Sequence, residues 1–383
     1  MPVEGRRRPA WAEVDLGALE HNAATLARLV EPSAFTTAQS ADGYGHGARA
    51  VWQALVAGGA TVLGVALVDE GIELREDGAG VPILLLSESP ATALVDAIAA
   101  SLTLTVGSLR GARDVVAAAR TAAREVQPVH VKVDTGMHRQ GVAPSQLSDV
   151  LDVLDDGGVA VGGVWTHFPI ADGATDEDRA FTEGQLVAFD RALAPVAGRL
   201  GDGVVRHAAN TAGAMWYPAA RRDLVRVGLG LYGCLPHPDM AAVLAAAGLP
   251  ALRPVLSVKA RVVAVRDLPA GARPSYGRRR ALAGPARVAT VPVGYADGYP
   301  RAMLDGSAEV LVRGRRCPLA GVVTMDQLLV ECDGDVDVGD EVVLLGRQGD
   351  EEVTADEWAD RLGTISWEVL CGFKARIPKL PVE

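Results

Sequence analysis

The sequence predicts an α/β protein, a TIM-type (β/α)8 barrel followed by a mainly-β C-terminal domain. From residue 16 to residue 227 short β-branched runs alternate with longer Ala-rich segments at helical spacing, which is the pattern of βα units around a parallel sheet. Eight such runs can be counted, and eight repeats in about 200 residues suit a closed barrel better than an open doubly wound sheet. After Pro250 the apolar runs are separated by Gly, Pro and Asp turns instead of helices, as in an all-β domain.

Taken in order, the barrel strands are expected at 35–39, 62–66, 83–86, 103–106, 129–133, 161–165, 205–208 and 224–227. Helices are expected between them at 47–57, 69–77, 109–123, 145–155 and 178–193. In the second half, strands are expected at 258–265, 288–291, 309–312, 328–332 and 341–345, with a last helix at 355–362. The segment 11–14 is surplus to the barrel and is expected to pair with the second domain. The expected division is a barrel over 1–245 and a β domain over 246–383, which agrees with a length of 383 residues, too long for one ordinary domain.

Composition narrows the function. With 49% hydrophobic, 22% charged and 4% aromatic residues the chain is globular, with a core built from Ala, Val and Leu. A formal net charge of -11 argues against a nucleic-acid partner, which needs clustered Lys and Arg. Cys234, Cys317, Cys332 and Cys371 lie far apart, in no metal-ligand spacing and too sparsely for a disulfide framework, so core packing is expected and no metal. Arg6, Arg7 and Arg8 are followed by no apolar leader, and no apolar run approaches the ~18 residues of a membrane span. A cytoplasmic protein with a small-molecule partner and no membrane is the expectation.

In such a barrel, chemistry collects where strands end and βα loops begin. The first strand ends in Ser40-Ala41-Asp42-Gly43-Tyr44-Gly45-His46-Gly47, the fifth in Lys132 through Arg139, the sixth in Thr166-His167-Phe168, the seventh in Asn210-Thr211, and the eighth in Arg226-Val227-Gly228-Leu229. Each alone has a plain structural explanation. The glycine turn can be loop chemistry, His167 a satisfied core histidine, Asn210 and Thr211 a helix cap, and Arg226 half of an ion pair. Five such segments at the same end of five strands point instead to a binding rim.

These segments, together with Arg8-Pro9-Ala10-Trp11-Ala12-Glu13-Val14-Asp15, Asp134-Thr135-Gly136-Met137-His138-Arg139, Ser275-Tyr276-Gly277, Gly294-Tyr295-Ala296-Asp297-Gly298-Tyr299-Pro300-Arg301 and Thr324-Met325-Asp326-Gln327, resemble the alanine racemases, fold-type III enzymes dependent on pyridoxal 5'-phosphate. The resemblance implies that Tyr44, Asn210, Thr211, Gly228 and Leu229 hold the cofactor phosphate. It implies that His167 lies against the pyridine ring and that Arg226 faces its nitrogen. Arg139 would orient the substrate carboxylate, steadied by Lys132, which is often carbamylated in the family. Tyr276 would be the catalytic base on one face of the α-carbon, with Tyr295, Met325 and Asp326 at the entrance. In the family these C-terminal groups come from the second subunit, which implies a head-to-tail homodimer.

The chain departs from that pattern most at two places, and more mildly at Pro169, Thr211 and Val227. The family's Schiff-base lysine corresponds to Ser40, and no lysine occurs in the first 131 residues; the four present are Lys132, Lys259, Lys374 and Lys379. The family's phosphate-binding tyrosine near the C-terminus corresponds to Trp367. The preceding strand, Thr36-Thr37-Ala38-Gln39, is also more polar than the family's. Three functions follow. The first is an enzyme that binds pyridoxal or pyridoxamine phosphate non-covalently and acts on an amino acid or amine through an external aldimine, with ordinary racemisation impaired. The second is a non-catalytic protein that binds cofactor or amino acid as a sensor or partner. The third is chemistry without the cofactor in a remodelled pocket.

Overall fold

The computed structural model describes residues 8–122, 124–305 and 307–383. Arg6, Arg7 and the final residue of the helix expected at 109–123 lie outside them. After a first strand β1 (Ala10–Asp15), the barrel strands are β2 (Ala34–Ala38), β3 (Val62–Val65), β4 (Ile83–Leu85), β5 (Thr105–Val106), β6 (Val129–Lys132), β7 (Val161–Trp165), β8 (Val205–His207) and β9 (Leu224–Val227). They form two parallel runs, β4-β3-β2-β9 and β5-β6-β7-β8. A parallel bridge from Leu84 to Thr103 joins the runs on one side. On the other, the Arg226 amide donates to the Ala209 carbonyl at 2.9 Å, so the eight strands close in chain order.

Alternation along each strand sorts the side chains into two environments. Leu63, Val65, Ile83, Leu85, Val131 and Val164 face outward and pack with helix residues such as Leu74, Ile98, Val115 and Leu151 in one buried cluster. The inward face is different. Register pairs Thr36 with Arg226, Thr105 with His130, Lys132 with Trp165, and Trp165 with His207. The lumen is therefore lined by polar groups, and it is this face that carries the site.

Helix starts are written locally. Ser108 accepts from the Gly111 amide at 2.8 Å and begins Leu109–Thr121. Thr175 and Asp178 form a reciprocal capping box at the head of Asp176–Leu193. The helices and strands expected in this half are present with ends displaced by a residue or two.

The β half contains β10 (Leu256–Arg261), β11 (Ala264–Leu268), β12 (Ala286–Val291), β13 (Glu309–Val312), β14 (Arg315–Pro318), β15 (Leu328–Cys332), β16 (Glu341–Gln348), β17 (Glu351–Val353) and β18 (Lys379–Val382). One sheet runs β14-β13-β16-β10-β1-β18 with β17 on β16, and a second runs β11-β12-β15. The surplus N-terminal segment is thus a strand of this half, with Trp11 opposite Lys259. The single strand expected at 258–265 is two, because β10 pairs with β16 while β11 pairs with β12. Strand β14 was hidden by Arg315 and Arg316, and it follows a tight turn in which Arg313 and Gly314 both have positive φ, at 52° and 72°. Cys317 and Cys332 are buried as expected, but Cys371 is exposed and does not serve the core.

Two compact units follow from the contacts. One contains Leu19–Gly43 and Ala48–Arg253; the other contains the N-terminal segment through Ala18, Tyr44–Gly47 and Pro254–Glu383.

Candidate functional site

In the barrel unit the site is organised by Arg226, third residue of β9 and fully buried. Its Nη2 donates to the Thr166 carbonyl at 2.7 Å and the Ala208 carbonyl at 2.9 Å. Nη1 lies 2.9 Å from His207 Nδ1, and Nη2 lies 3.2 Å from His167 Nδ1. The guanidinium carbon sits 4.5 Å from the centroid of the Trp165 ring, a cation–π contact. Burial pushes the guanidinium down to about 9, which leaves it protonated at neutral pH. Its Nε–H is engaged by no protein acceptor among the described residues.

That cation dictates the protonation of its neighbours. A guanidinium can only donate, so Nδ1 of both His167 and His207 must accept, which fixes each as the neutral tautomer with hydrogen on Nε2. His207 Nε2 lies 2.9 Å from His130 Nδ1, so the same logic carries one residue further. Burial first, and then the Arg226 charge, hold His167 and His207 well below the ordinary histidine range and bring His130 to about 4. His167 is also held through its carbonyl, 3.3 Å from Gln185 Nε2.

Lys132 ends β6 and lies against the same indole, with Nζ 4.6 Å from the Trp165 centroid. Burial, then the charges of Arg139 and Arg226, push its amine down to about 8, with Asp134 acting in the opposite sense. Arg139 is exposed on the following loop. That loop is shaped by Asp134, whose Oδ1 accepts from the amides of Gly136 at 3.0 Å and His138 at 3.1 Å. Burial alone would raise the Asp134 carboxyl; the backbone donors and His138 outweigh it and lower it.

Asn210 acts as the cap that the plain reading allowed, its Oδ1 accepting from the Gly213 amide at 2.9 Å. Thr211 Oγ1 accepts from the Gly228 amide at 3.0 Å, so the residues after β8 and β9 are tied to each other. Leu229 is buried beside them. Ser40 opens a turn in which Ala41, Asp42, Gly43 and Tyr44 all have φ between 52° and 63°. Left-handed geometry at three non-glycine residues is costly. Its supports are visible: Glu70 Oε1 accepts from the Ala41 amide at 2.7 Å, while Oε2 accepts from Ala66 at 2.9 Å and Leu67 at 3.0 Å. Asp42 Oδ1 accepts from the Ala48 amide at 2.8 Å.

In the other unit, three loops are brought together. The amides of Tyr295 and Ala296 donate to the carbonyls of Thr324 and Met325, both at 3.0 Å, and Ser275 Oγ donates to the Val322 carbonyl at 2.6 Å. This gathers Tyr276, Tyr295, Met325 and Asp326, with Tyr276 75%, Met325 54% and Tyr295 38% exposed. Asp326 is paired with Arg376 at 2.6 Å. Burial, with Cys371 adding, pushes the Tyr44 phenol up to about 12, so it stays a neutral hydroxyl. Trp367 is half-buried in the helix Ser366–Cys371, an element not foreseen.

Sequence reading missed His207, His130, Trp165 and Glu70 as site-building residues. The available signal was period-two polarity within the strands: Thr36, His130 with Lys132, Trp165 with His167, and His207 occupy alternate, inward positions.

Comparison with known proteins identifies the family. The family model for the alanine racemase N-terminal domain matches residues 14–236, and that for the alanine racemase C-terminal domain matches residues 255–381. An alanine racemase of Symbiobacterium thermophilum is 43% identical over 99% of this chain and 98% of its own, and one of Nostoc sp. is 39% identical over 97% and 96%. Among solved structures, alanine racemase of Clostridium difficile 630 superposes with a TM-score of 0.89 at 34% identity, covering 98% of this chain and 96% of that one. The enzyme of Streptomyces coelicolor A3(2) gives 0.89 at 35% identity, covering 98% of each. The chain belongs to the alanine racemase family, through both of its domains.

Proposed function

We propose that this chain binds pyridoxal or pyridoxamine phosphate without a covalent tether and acts on an amino acid or amine, with ordinary racemisation slowed or lost. The observation that carries the reading is Arg226, a buried cation with an uncommitted Nε–H, flanked by a histidine locked neutral. A pyridine nitrogen is an acceptor that fits such a donor. Bound there, the cofactor would supply electron withdrawal from the substrate α-carbon. A guanidinium does not give up its proton, so it leaves the ring nitrogen unprotonated and favours proton exchange over wider carbanion chemistry.

The remaining roles belong to this chain's own side chains. In the barrel unit the Thr211 hydroxyl, the Asn210 amide and the Leu229 amide would hold the phosphate, with Gly228 set beside them by its bond to Thr211 Oγ1. Arg139, steadied by Lys132 once that amine is carbamylated, would pair with the substrate carboxylate. Lys132 has an amine depressed enough to be partly neutral at pH 7 to 8, the condition for carbamylation. Tyr276 would hold and return the α-proton on one face. Ser40 offers nothing on the other, since a serine hydroxyl forms no imine and is no base at neutral pH. Losing one of two bases together with the covalent tether costs several kcal/mol of transition-state stabilisation, each ~1.4 kcal/mol being tenfold in rate.

Tyr276, Tyr295 and Met325 are large and exposed, which supports a head-to-tail homodimer in which they enter a partner's site beside Asp326. A purely non-catalytic binding protein is the second reading, favoured by Ser40 and Trp367 together. An absorption titration with pyridoxal phosphate, alone and with amino acids, separates them. A band that shifts only when both ligands are present supports catalysis, binding without turnover supports the second reading, and no cofactor retained after desalting contradicts both. In Ser40→Lys, borohydride reduction should fix the cofactor covalently and racemisation should become measurable; a variant that retains no cofactor contradicts the proposed pocket.

A further inference from the structure

Arg226 carries a full charge in the barrel interior, yet among the described residues no carboxylate faces it; its partners are two carbonyls, two imidazoles and the face of the Trp165 indole. A buried charge is retained only when its surroundings solvate it. The lumen around it holds a second anomaly. Thr36 Oγ1, Thr105 Oγ1 and Trp165 Nε1 are buried polar atoms without a hydrogen-bond partner among the described residues. Strand register places all three on the lumen face. Thr36 is opposite Arg226, Thr105 is opposite His130, and Trp165 stands between Lys132 and His207.

The histidine relay adds a donor. Because Arg226 forces His207 to accept at Nδ1 and to donate from Nε2, His130 must accept at Nδ1 and carry its own hydrogen on Nε2. His130 sits at the N-terminal half of β6, where its ring fills the space a side chain on Gly163 would need: an added Cβ there would lie 2.6 Å from the imidazole. The ring is therefore built into the barrel wall. Buried polar atoms in native proteins almost always have a protein or water partner, and a polar, roomy interior is where ordered water is found.

We infer that the lumen behind Arg226 is a built hydration site, in which ordered water bonded to Thr36 Oγ1, Thr105 Oγ1 and Trp165 Nε1 solvates the guanidinium in place of a carboxylate. Thr36, Thr105, Trp165, His207 and His130 then act as positioning residues. They hold Arg226 charged and aimed without a second charge that would neutralise it. The consequence for the reaction rests on the reading given above, but the water does not. It belongs to the chain with no cofactor bound, so the two can fail separately.

The direct test is a high-resolution crystal structure of the cofactor-free protein, with a second crystal soaked in bromide. Water density within hydrogen-bond distance of the three atoms, with no anomalous peak in the lumen, is expected. Thr105→Val and Thr36→Val supply the independent measurement. A threonine bonded to water loses that partner on becoming valine, so each variant should melt about 2–4 °C lower. A threonine that is merely unsatisfied is relieved by the isosteric change. Unchanged or raised melting temperatures, an absence of water at these atoms, or a bromide peak in their place would each overturn the inference. Histidine-selective 15N spectra test the relay on which the site is built: His207 and His130 should both be neutral with hydrogen on Nε2, and the opposite tautomer at either would overturn their placement in it.

Discussion

The permanent charge of one residue fixes the chemistry of its neighbourhood. Arg226 can only donate, and from that alone follow the tautomers of His167, His207 and His130. Their protonation makes a prediction about pH. All three are held below the ordinary histidine value by burial and then by the Arg226 charge, His130 at about 4. Below about 6.5 the unfolded chain takes up protons that the folded chain refuses, so stability falls as pH falls from 6.5 toward 4. A melting-temperature profile over that range should slope downward toward acid, and His130→Gln should make it shallower while His167 and His207 keep it sloping; a profile flat from pH 7 to 4 would contradict the assignment. Arg226 and His167 were legible in the sequence because they end strands in recognisable motifs. His207, His130 and Trp165 were not, since their roles depend on which neighbours a barrel register brings opposite them, and register is not written in local spacing.

A turn can be stored as strain only if something else holds it, and the turn opened by Ser40 is held by Glu70. Four consecutive residues, Ala41 to Tyr44, have φ in the left-handed region, at 57°, 55°, 63° and 52°. One carboxylate collects the amides of Ala41, Ala66 and Leu67, and so couples the end of β2 to the start of the helix Val68–Glu76. Glu70→Ala should destabilise the barrel by about 2 kcal/mol, the scale of hydrogen bonds to a charged group, measured by denaturant unfolding. An effect below about 0.5 kcal/mol would show that the turn is held otherwise. The sequence showed the glycines of this loop and hence a tight turn. The brace was invisible because Glu70 lies a whole βα unit away. Strands β14, β17 and β18 escaped notice for a related reason: short edge segments with charged or proline residues lack the alternation that marks a half-buried strand.

At the scale of the molecule, the order of eight barrel strands and a β half was readable because hydrophobic period and turn residues change together near Pro250. The membership of β1 in the β half was also readable, from a segment the barrel had no use for. What could not be read is how the chain divides at Tyr44–Gly47, a short stretch from the first barrel loop that clusters with the β half. Among the described residues no helix is long and apolar enough to cross a membrane. The exposed Tyr276, Tyr295 and Met325 predict self-association: sedimentation should give a dimer, and Tyr295→Glu with Met325→Glu should shift it toward monomer, whereas a monomeric parent chain would contradict the proposed assembly. Untethered cofactor binding is tested most directly by equilibrium binding of pyridoxal phosphate to the unmodified chain, followed by borohydride treatment and mass determination. Saturable binding, weakened in Arg226→Ala, is expected, with no mass gained on reduction at any site. Covalent attachment to the parent chain, or binding indifferent to Arg226, would contradict it.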